Sequence, residues 1–357
     1  MPNENGAAHK LEGLTLQGGW KVKSRHLRAD GSTGMRYSVC YHVERDGQKG
    51  FLKALDLTRA DDEKDFTLAL ELLTTAFNFE RDILRECGAK RMDRVIAPID
   101  EGEVRVEEGM QGRVSYIIFE EADRDIRNQL AAMGLAETTA RLQTLHHVAT
   151  GLFQLHGSEI AHQDVKPSNV LAFPQVSKLS DLGRASRRNV PGPSDGDDYA
   201  GDKTYAPPEL LYRRVYADFG VRRLGCDAYL FGSMVVFCFT GLSATALIMQ
   251  HLNPDHHWQK WQGTYEDVFP YVRNAFGLAV ADFASHVPGA RLPEELSQIV
   301  RELCEPDPML RGHPRNRADR VGDQYSMERY VSKFNDLAYW SRLGLLEQRL
   351  DKHARRK

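Results

Sequence analysis

The sequence predicts an α+β fold in which a small β-rich part precedes a larger helical part. Strand-like runs rich in β-branched and aromatic residues dominate the first third of the chain, at 20–27, 37–43, 50–55, 94–99 and 114–119. A long helix predicted for residues 66–87 interrupts them. After residue 122 the apolar residues follow helical spacing instead.

Local signals support individual elements. The strands predicted at 37–43 and 50–55 flank an Asp46-Gly47 pair, which is typical of a tight turn. In the second part, Gly157 is the predicted end of a helix. The helix is predicted by the spacing of five apolar residues: Leu142, Leu145, Val148, Leu152 and Leu155. A second helix is predicted to start near Pro293. It is predicted by four apolar residues at helical spacing: Leu296, Ile299, Val300 and Leu303.

The composition is that of an ordinary globular protein. The 357 residues are 41% hydrophobic and 27% charged, and the length suits about two domains or one bilobed unit. The formal net charge of −3 shows no basic excess, so we expect neither nucleic acid nor an anionic membrane as the main partner.

Cysteine usage predicts a cytoplasmic protein. The five cysteines are odd in number, widely scattered and without a C-x-x-C pair, as expected for reduced, buried thiols. Residues 1–13 contain no apolar core of a signal peptide. The uncharged run at 228–250 is interrupted by small polar residues and glycines, so we predict a buried core helix at 227–240 and no membrane span.

Four polar residues carry the strongest chemical signal. Asp164, Lys166 and Asn169 stand in the stretch His162-Gln163-Asp164-Val165-Lys166-Pro167-Ser168-Asn169, and Asp181 follows in Asp181-Leu182-Gly183. Phosphoryl transfer needs a carboxylate for the proton of the nucleophile, a cation for the phosphoryl group and oxygen ligands for a divalent metal. This set supplies all three types.

This stretch resembles the catalytic loop H-R-D-x-K-x-x-N and the D-F-G motif of eukaryotic-type (Hanks-type) Ser/Thr protein kinases. The resemblance implies a bilobed kinase fold, with Mg-ATP bound between the lobes. It divides the chain into a flexible N-terminus (1–13), an N-lobe (14–122), a C-lobe (123–345) and a basic tail (346–357). It also implies that Asp164 is the catalytic base, that Lys166 neutralises the γ-phosphoryl group, and that Asn169 and Asp181 bind Mg²⁺.

The resemblance extends to a lysine–glutamate pair. Phe51-Leu52-Lys53-Ala54 is similar to the V-A-I-K strand, so Lys53 is expected to bind the α- and β-phosphates. Its expected partner is Glu80, with Glu71 and Asp82 as alternatives.

Further nucleotide contacts are expected from the same family pattern. Backbone groups of Glu120 to Ala122 would bind adenine, with Phe119 behind the pocket. The phosphate-covering loop is irregular, because Gly31 and Gly34 fit two of three glycine positions and Ala29 occupies the first.

Two late motifs resemble the part of the family that anchors the peptide-binding segment. Ala206-Pro207-Pro208-Glu209 is similar to A-P-E, with Glu209 expected to pair with Arg311. Asp227 is expected to accept N–H bonds from the catalytic loop. Two positions depart from the pattern: Gln163 replaces an arginine that often binds a phosphorylated activation segment, and Asp202 stands where threonine is frequent.

These residues together predict an ATP- and Mg²⁺-dependent Ser/Thr protein kinase acting on a protein substrate, with control by a regulatory partner protein. Two alternatives stay open. The irregular glycine loop would suit a pseudokinase scaffold that binds nucleotide without catalysis. A small-molecule kinase of related fold is the other, against which Lys166 and the Glu209–Arg311 pair favour a protein acceptor.

Overall fold

A computed structural model describes residues 6–27, 38–61, 63–108, 112–133, 137–318 and 323–355. The chain divides into two units, Met1–Asp123 and Arg124–Lys357. The first unit contains the larger sheet and the second contains most of the helices. The predicted α+β class, strands first and helices second, is confirmed.

The first unit is an antiparallel sheet of five strands with the order β1-β2-β3-β5-β4. The strands are β1 (Lys21–Arg25), β2 (Ser38–Arg45), β3 (Gln48–Leu55), β4 (Pro98–Arg105) and β5 (Arg113–Glu120). Strands β2 and β3 form a hairpin whose turn residues, Asp46 and Gly47, both have positive φ, 50° and 80°. That geometry suits the right-handed twist of paired strands and confirms the predicted turn.

One long helix, α1 (Phe66–Ala89), follows β3. Asp65 caps it by accepting a hydrogen bond from the backbone N–H of Leu68. Its buried residues include Leu73, Phe77 and Ile83 at helical spacing, and Glu80 lies among them. A buried carboxylate needs a positively charged partner, and this requirement identifies the functional face of the helix.

Strand β4 differs from the sequence prediction at 94–99. Val95 and Ile96 are buried at 1% and 3% exposure, but they lie in the connection from α1, and the strand begins at Pro98. The strand itself carries alternating charged residues because it lies at the edge of the sheet, where one side faces water. The apolar residues Val95 and Ile96 predict a strand at 94–99, whereas the observed strand β4 begins after them and is more polar than this run.

The N-terminal segment also differs from expectation. Residues 1–13 were predicted to be flexible, yet from Gly6 onward the described chain packs against the sheet. Tyr41 donates its hydroxyl hydrogen to the backbone oxygen of Ala8 at 2.7 Å. Three apolar residues of this segment join the core of the sheet, together with the following Leu16 and Trp20: Ala7, Ala8 and Leu11. Their burial removes apolar surface from water and orders the segment.

The second unit is mainly helical. Its helices of eight or more residues are α2 (Ile126–Met133), α3 (Thr138–His156), α5 (Gly225–Thr240), α6 (Ala244–His251), α7 (Tyr265–His286), α8 (Leu292–Leu303), α10 (Glu328–Arg342) and α11 (Leu346–Ala354). Shorter helices are α4 (Pro208–Leu211) and α9 (Pro314–Ala318). Five short strands complete it: β6 (Arg124–Asp125), β7 (Ile160–Ala161), β8 (Val170–Ala172), β9 (Ser177–Leu179) and β10 (Ser186–Arg187). The helices predicted around Leu145 and Leu296 are confirmed.

Helix α5 is the core helix predicted from the uncharged run. It is buried along almost its whole length and ends at Thr240, and the capping residue Gly241 that follows has a φ of 75°. Among the described residues, no single helix has the length and apolar character needed to cross a membrane. Gly220–Thr240 and Ala244–His251 meet those criteria together only as a pair bent by 77°.

The predicted basic tail, 346–357, contains helix α11. Glu347 accepts backbone N–H bonds from Ala290 and Arg291, and Asp351 accepts a bond from the Arg291 side chain. Leu350 is buried at 3% exposure. The acidic residues interspersed with the basic ones attach this segment to the loop before α8.

Candidate active site

Strand β3 and helix α1 bring Lys53 and Glu80 together in the first unit. The Lys53 Nζ lies 2.7 Å from Oε1 and 2.8 Å from Oε2 of Glu80. Of the two alternative partners, Glu71 is exposed and Asp82 contacts Arg81 and Arg85. The ion pair predicted for Lys53 therefore forms with Glu80.

Asp164 lies in the second unit, in the loop between β7 and β8. Its carboxylate accepts hydrogen bonds from Asn169 Nδ2 at 2.9 Å and from the backbone N–H of Asp202 at 3.1 Å. Lys166 Nζ lies 3.0 Å from Oδ2 of the same carboxylate. Asp164 is only 7% exposed. The sequence predicted that Asp164, Lys166 and Asn169 act together, and the fold brings them into direct contact.

The pKa of Asp164 is raised above the usual range of an aspartate. Burial is the main cause, Lys166 opposes it by favouring the charged form, and the nearby Asp181 carboxylate raises the pKa further. The pKa of this carboxyl group is therefore nearer to neutral than that of an exposed aspartate. A general base is most effective when its pKa lies near the operating pH.

A raised pKa has a consequence for the pH profile. A general base must be deprotonated, so if Asp164 has the predicted role, activity should be lost as the pH falls through its pKa. Because that pKa is shifted upward, we expect the acidic limb of kcat/KM to lie at a higher pH than an unperturbed aspartate, about 3.9, would give. Initial rates over a range of pH with saturating metal measure it. An acidic limb at or below the normal aspartate value would contradict a buried base.

Asn169 and Asp181 are the two residues predicted to bind a metal ion, and both carry side-chain oxygens. Asn169 Nδ2 donates to both the backbone oxygen and Oδ2 of Asp164, at 2.8 and 2.9 Å, which leaves the amide oxygen as the group able to bind a cation. Asp181 has φ of 61°, a left-handed conformation that is uncommon outside glycine. Two oxygen ligands suit Mg²⁺, which retains waters and phosphate oxygens in its remaining positions.

Asp227, near the start of α5, anchors the catalytic loop. Its carboxylate accepts the backbone N–H groups of His162 at 2.7 Å and Gln163 at 2.8 Å, and His156 Nε2 lies 3.0 Å away. Gln163 has a positive φ of 65°, so the loop is held in a strained conformation that these bonds stabilise. The expected role of Asp227 is confirmed by this geometry.

Glu209 and Arg311 form the expected buried pair. Arg311 Nη1 and Nη2 donate to the two carboxylate oxygens at 2.8 and 2.9 Å, a bidentate arrangement. Arg311 also donates to the backbone oxygens of Glu305 and Gly225. The pair ties the segment after Asp202 to the start of α5 and to the loop after α8.

Asp202 is absent from the site residues predicted from the sequence, but it contacts two of them, Asp164 and Lys166. Its backbone N–H reaches Asp164, its Oδ2 lies 3.8 Å from Lys166 Nζ, and its Oδ1 accepts bonds from Thr204. The sequence feature that could have indicated this contact is the position of Asp202, four residues before the A-P-E-like motif that begins at Ala206. Lys166 is consequently shared between two carboxylates.

Some predicted nucleotide contacts are not tested by this geometry. Gly31 and Gly34 of the phosphate-covering loop lie outside the described residues. Glu120 is the exposed last residue of β5, and Ala122 follows close behind. Their contact with adenine stays a prediction.

Comparison with protein families identifies the group of proteins to which this chain is related. The family model described as protein kinase domain matches residues 31–317, most of the chain. The chain belongs to the protein kinase domain family. The polar residues described above all lie inside the matched region: Lys53, Glu80, Asp164, Lys166, Asn169, Asp181, Asp202, Glu209, Asp227 and Arg311.

Individual relatives of this kinase domain are distant. The serine/threonine-protein kinase fused of Drosophila melanogaster is 28% identical over 228 residues, which is 60% of this chain and 26% of that protein. An Aurora kinase of Yarrowia lipolytica is 27% identical over 184 residues, 49% of this chain and 43% of that protein. Serine/threonine-protein kinase SBK1 of Danio rerio is 32% identical over 112 residues, 30% of this chain and 28% of that protein. The chain thus aligns with less than half of each relative.

Proposed function

We propose that this chain is an active, ATP-dependent protein kinase that transfers the γ-phosphoryl group of Mg-ATP to Ser or Thr hydroxyls of a protein. The observation that carries the proposal is the buried Asp164 carboxylate, bonded by Asn169 and Asp202 and paired with Lys166. Burying a carboxylate with a lysine carries a desolvation cost that is offset only by good geometry and further hydrogen bonds, and Asn169 and Asp202 supply such bonds to Asp164. Relatives named as Ser/Thr kinases support the acceptor class.

In the proposed reaction, Asp164 orients the acceptor hydroxyl and takes its proton. The hydroxyl oxygen bonds to the γ-phosphorus while the bond from the γ-phosphorus to the bridging oxygen breaks, and ADP leaves with that electron pair. Lys166 stabilises the negative charge on the transferred group. Asn169 and Asp181 would hold Mg²⁺, which neutralises phosphate charge. Lys53, fixed by Glu80, would orient the α- and β-phosphates.

The structural pair Glu209–Arg311 supports a protein acceptor over a small molecule. It fixes the segment that follows Asp202, whose backbone contacts the catalytic carboxylate. An extended peptide needs such an ordered segment beside the base, whereas a small molecule does not. A cytoplasmic location remains part of the proposal, in keeping with five widely scattered cysteines that are all buried.

The test is transfer of label from γ-labelled ATP to a generic protein acceptor, followed by mapping of the modified residues. We expect Mg²⁺-dependent labelling of Ser and Thr in the parent. The variant Asp181→Asn should need at least about tenfold more Mg²⁺ for the same rate, because a charged ligand is lost. Parent protein that binds ATP without transferring label would support the pseudokinase alternative, and labelling of a sugar or aminoglycoside alone would support a small-molecule kinase.

A further inference from the structure

An aspartate holds the segment between β10 and α4 by several contacts. Asp195 Oδ1 accepts a bond from Ser186 Oγ at 3.0 Å, and Oδ2 accepts the backbone N–H of Gly192 at 2.6 Å. Arg223 Nη2 donates to Oδ1 and to the backbone oxygen of Asp195, both at 3.2 Å. Arg222 donates to the same backbone oxygen at 3.1 Å. The Asp195 carboxylate therefore connects Ser186 and Gly192 to Arg223, which lies in the turn Gly220–Leu224 before α5.

Arg223 is the buried centre of this arrangement. Its side chain is 5% exposed, whereas that of Asp195 is 38% exposed. Burial lowers the pKa of Arg223 and the neighbouring Arg222 lowers it further, while Asp195 acts in the opposite direction. A buried guanidinium of this kind is stable only with acceptors around it, and Asp195 supplies the negative charge.

The same guanidinium reaches the catalytic loop through Gln163. Arg223 Nη1 donates to Gln163 Oε1 at 3.2 Å. In return, Gln163 Nε2 donates to the backbone oxygen of Arg223 at 2.9 Å and lies 3.3 Å from Asp227 Oδ1. Gln163 is 1% exposed and immediately precedes Asp164. A continuous polar chain thus runs from the segment to the residue beside the base.

A close backbone approach shows how tightly the segment packs there. A Cβ built on Gly201 would lie 2.5 Å from the backbone oxygen of Gln163, so only glycine fits. The next residue, Asp202, donates its N–H to Asp164. A displacement of the segment would therefore change the hydrogen bond between Asp202 and the Asp164 carboxylate.

We propose that Asp195, Arg223 and Gln163, here called the Asp195 clamp, are positioning residues that hold residues 189–203 in the catalytic arrangement without a phosphoryl group on the segment. The carboxylate of Asp195 occupies the role that a phosphorylated hydroxyl would otherwise take, and Arg223 is the cation that receives it. The proposal deepens the proposed kinase function and rests on it.

The hydroxyl groups near the clamp agree with this assignment. Ser186 is 1% exposed and already donates to Asp195, and Ser194 is 5% exposed. Thr204 donates its hydroxyl hydrogen to Asp202. Phosphorylation of Ser186 would break its hydrogen bond to Asp195, and Ser194 is buried, so the ordered arrangement is compatible with two unmodified serines.

The decisive variant is Asp195→Asn, with Asp197→Asn as the matched control. Asp197 is exposed and accepts a bond from Arg222 through its backbone oxygen, so its substitution removes the same charge and leaves that contact in place. For Asp195→Asn we expect kcat with a protein acceptor to fall by about 10- to 100-fold, as for a misplaced catalytic group, with unchanged ATP affinity. Asp197→Asn should match the parent, and Asp195→Glu should recover most of the activity.

Two further measurements separate the clamp from the kinase function itself. Phosphatase treatment, verified by mass spectrometry, should leave the rate of the parent unchanged. Hydrogen exchange of the amides at 189–203 should be faster in Asp195→Asn but not in Asp197→Asn. If the parent transfers no phosphate, the proposed function fails, and the exchange result alone then decides for or against the clamp.

Three outcomes would overturn the clamp: equal exchange in the two variants, parental kcat in Asp195→Asn, or loss of parental activity after phosphatase. Should Asp195→Asn fail to fold, Gln163→Met provides the second variant, because it removes the amide link between Arg223 and the catalytic loop without removing a charge. The Gln163→Met variant should also have a lower kcat than the parent, and an unchanged kcat in this variant would refute the proposal.

Discussion

Asp164→Asn is expected to lower kcat by about 10²- to 10⁴-fold, the usual contribution of a general base, with little change in ATP affinity. The amide can still accept the N–H bond from Asp202, but it has no charge for Lys166 and no basic oxygen for the acceptor's proton. Phosphate transfer measured in single-turnover experiments would isolate this chemical step from product release.

The control for Asp164→Asn is Asp198→Asn, an identical change at an exposed position of the following segment. It should leave kcat at the parental value. Thermal unfolding of both variants tests whether the fold is intact. A folded Asp164→Asn variant with parental single-turnover rates would rule out Asp164 as the base and would leave the phosphotransferase proposal without its central residue.

The second large effect concerns stability. Arg311→Met should destabilise the folded protein by about 3–5 kcal/mol, because it leaves the Glu209 carboxylate buried and unpaired. The two side chains are 0% and 3% exposed, so water cannot replace the lost partner. Urea unfolding followed by far-UV circular dichroism measures the change in the free energy of unfolding of the second unit.

A double variant makes this prediction specific. Glu209→Leu together with Arg311→Met removes both charges, so its loss of stability should be smaller than that of Arg311→Met alone. Arg214→Met provides the surface control, because it breaks the exposed pair with Glu266 and should leave the unfolding midpoint unchanged. Equal losses in the single and double variants would show that the buried charge is not the cause.

The residues of the candidate site that are close in sequence could be predicted well. Asp164, Lys166 and Asn169 lie within one turn-sized loop, so their contact follows from local geometry. The pairing of Lys53 with Glu80 needed the family resemblance, because several carboxylates in α1 were possible partners. Glu80 is the one that faces the sheet among apolar neighbours, at a helical position shared with Phe77 and Leu84.

The parts that could not be predicted depend on contacts between distant segments. Nothing in the sequence near Gln163 indicates that its amide would bind Arg223, sixty positions later. The apolar pair Val95-Ile96 was assigned to a strand because burial alone does not distinguish a packed connection from a strand. Local propensity is decisive only where tertiary packing does not override it.

The order of the N-terminal segment changes where the folded region begins. The part shared with other protein kinases starts at residue 31, but Leu11 and Trp20, both 0% exposed, complete the packing around Tyr41. A truncation at the alignment boundary would uncover that aromatic ring and leave its hydroxyl without the Ala8 carbonyl. The hydrophobic core of the first unit therefore includes residues that precede the region matched by the protein kinase family model.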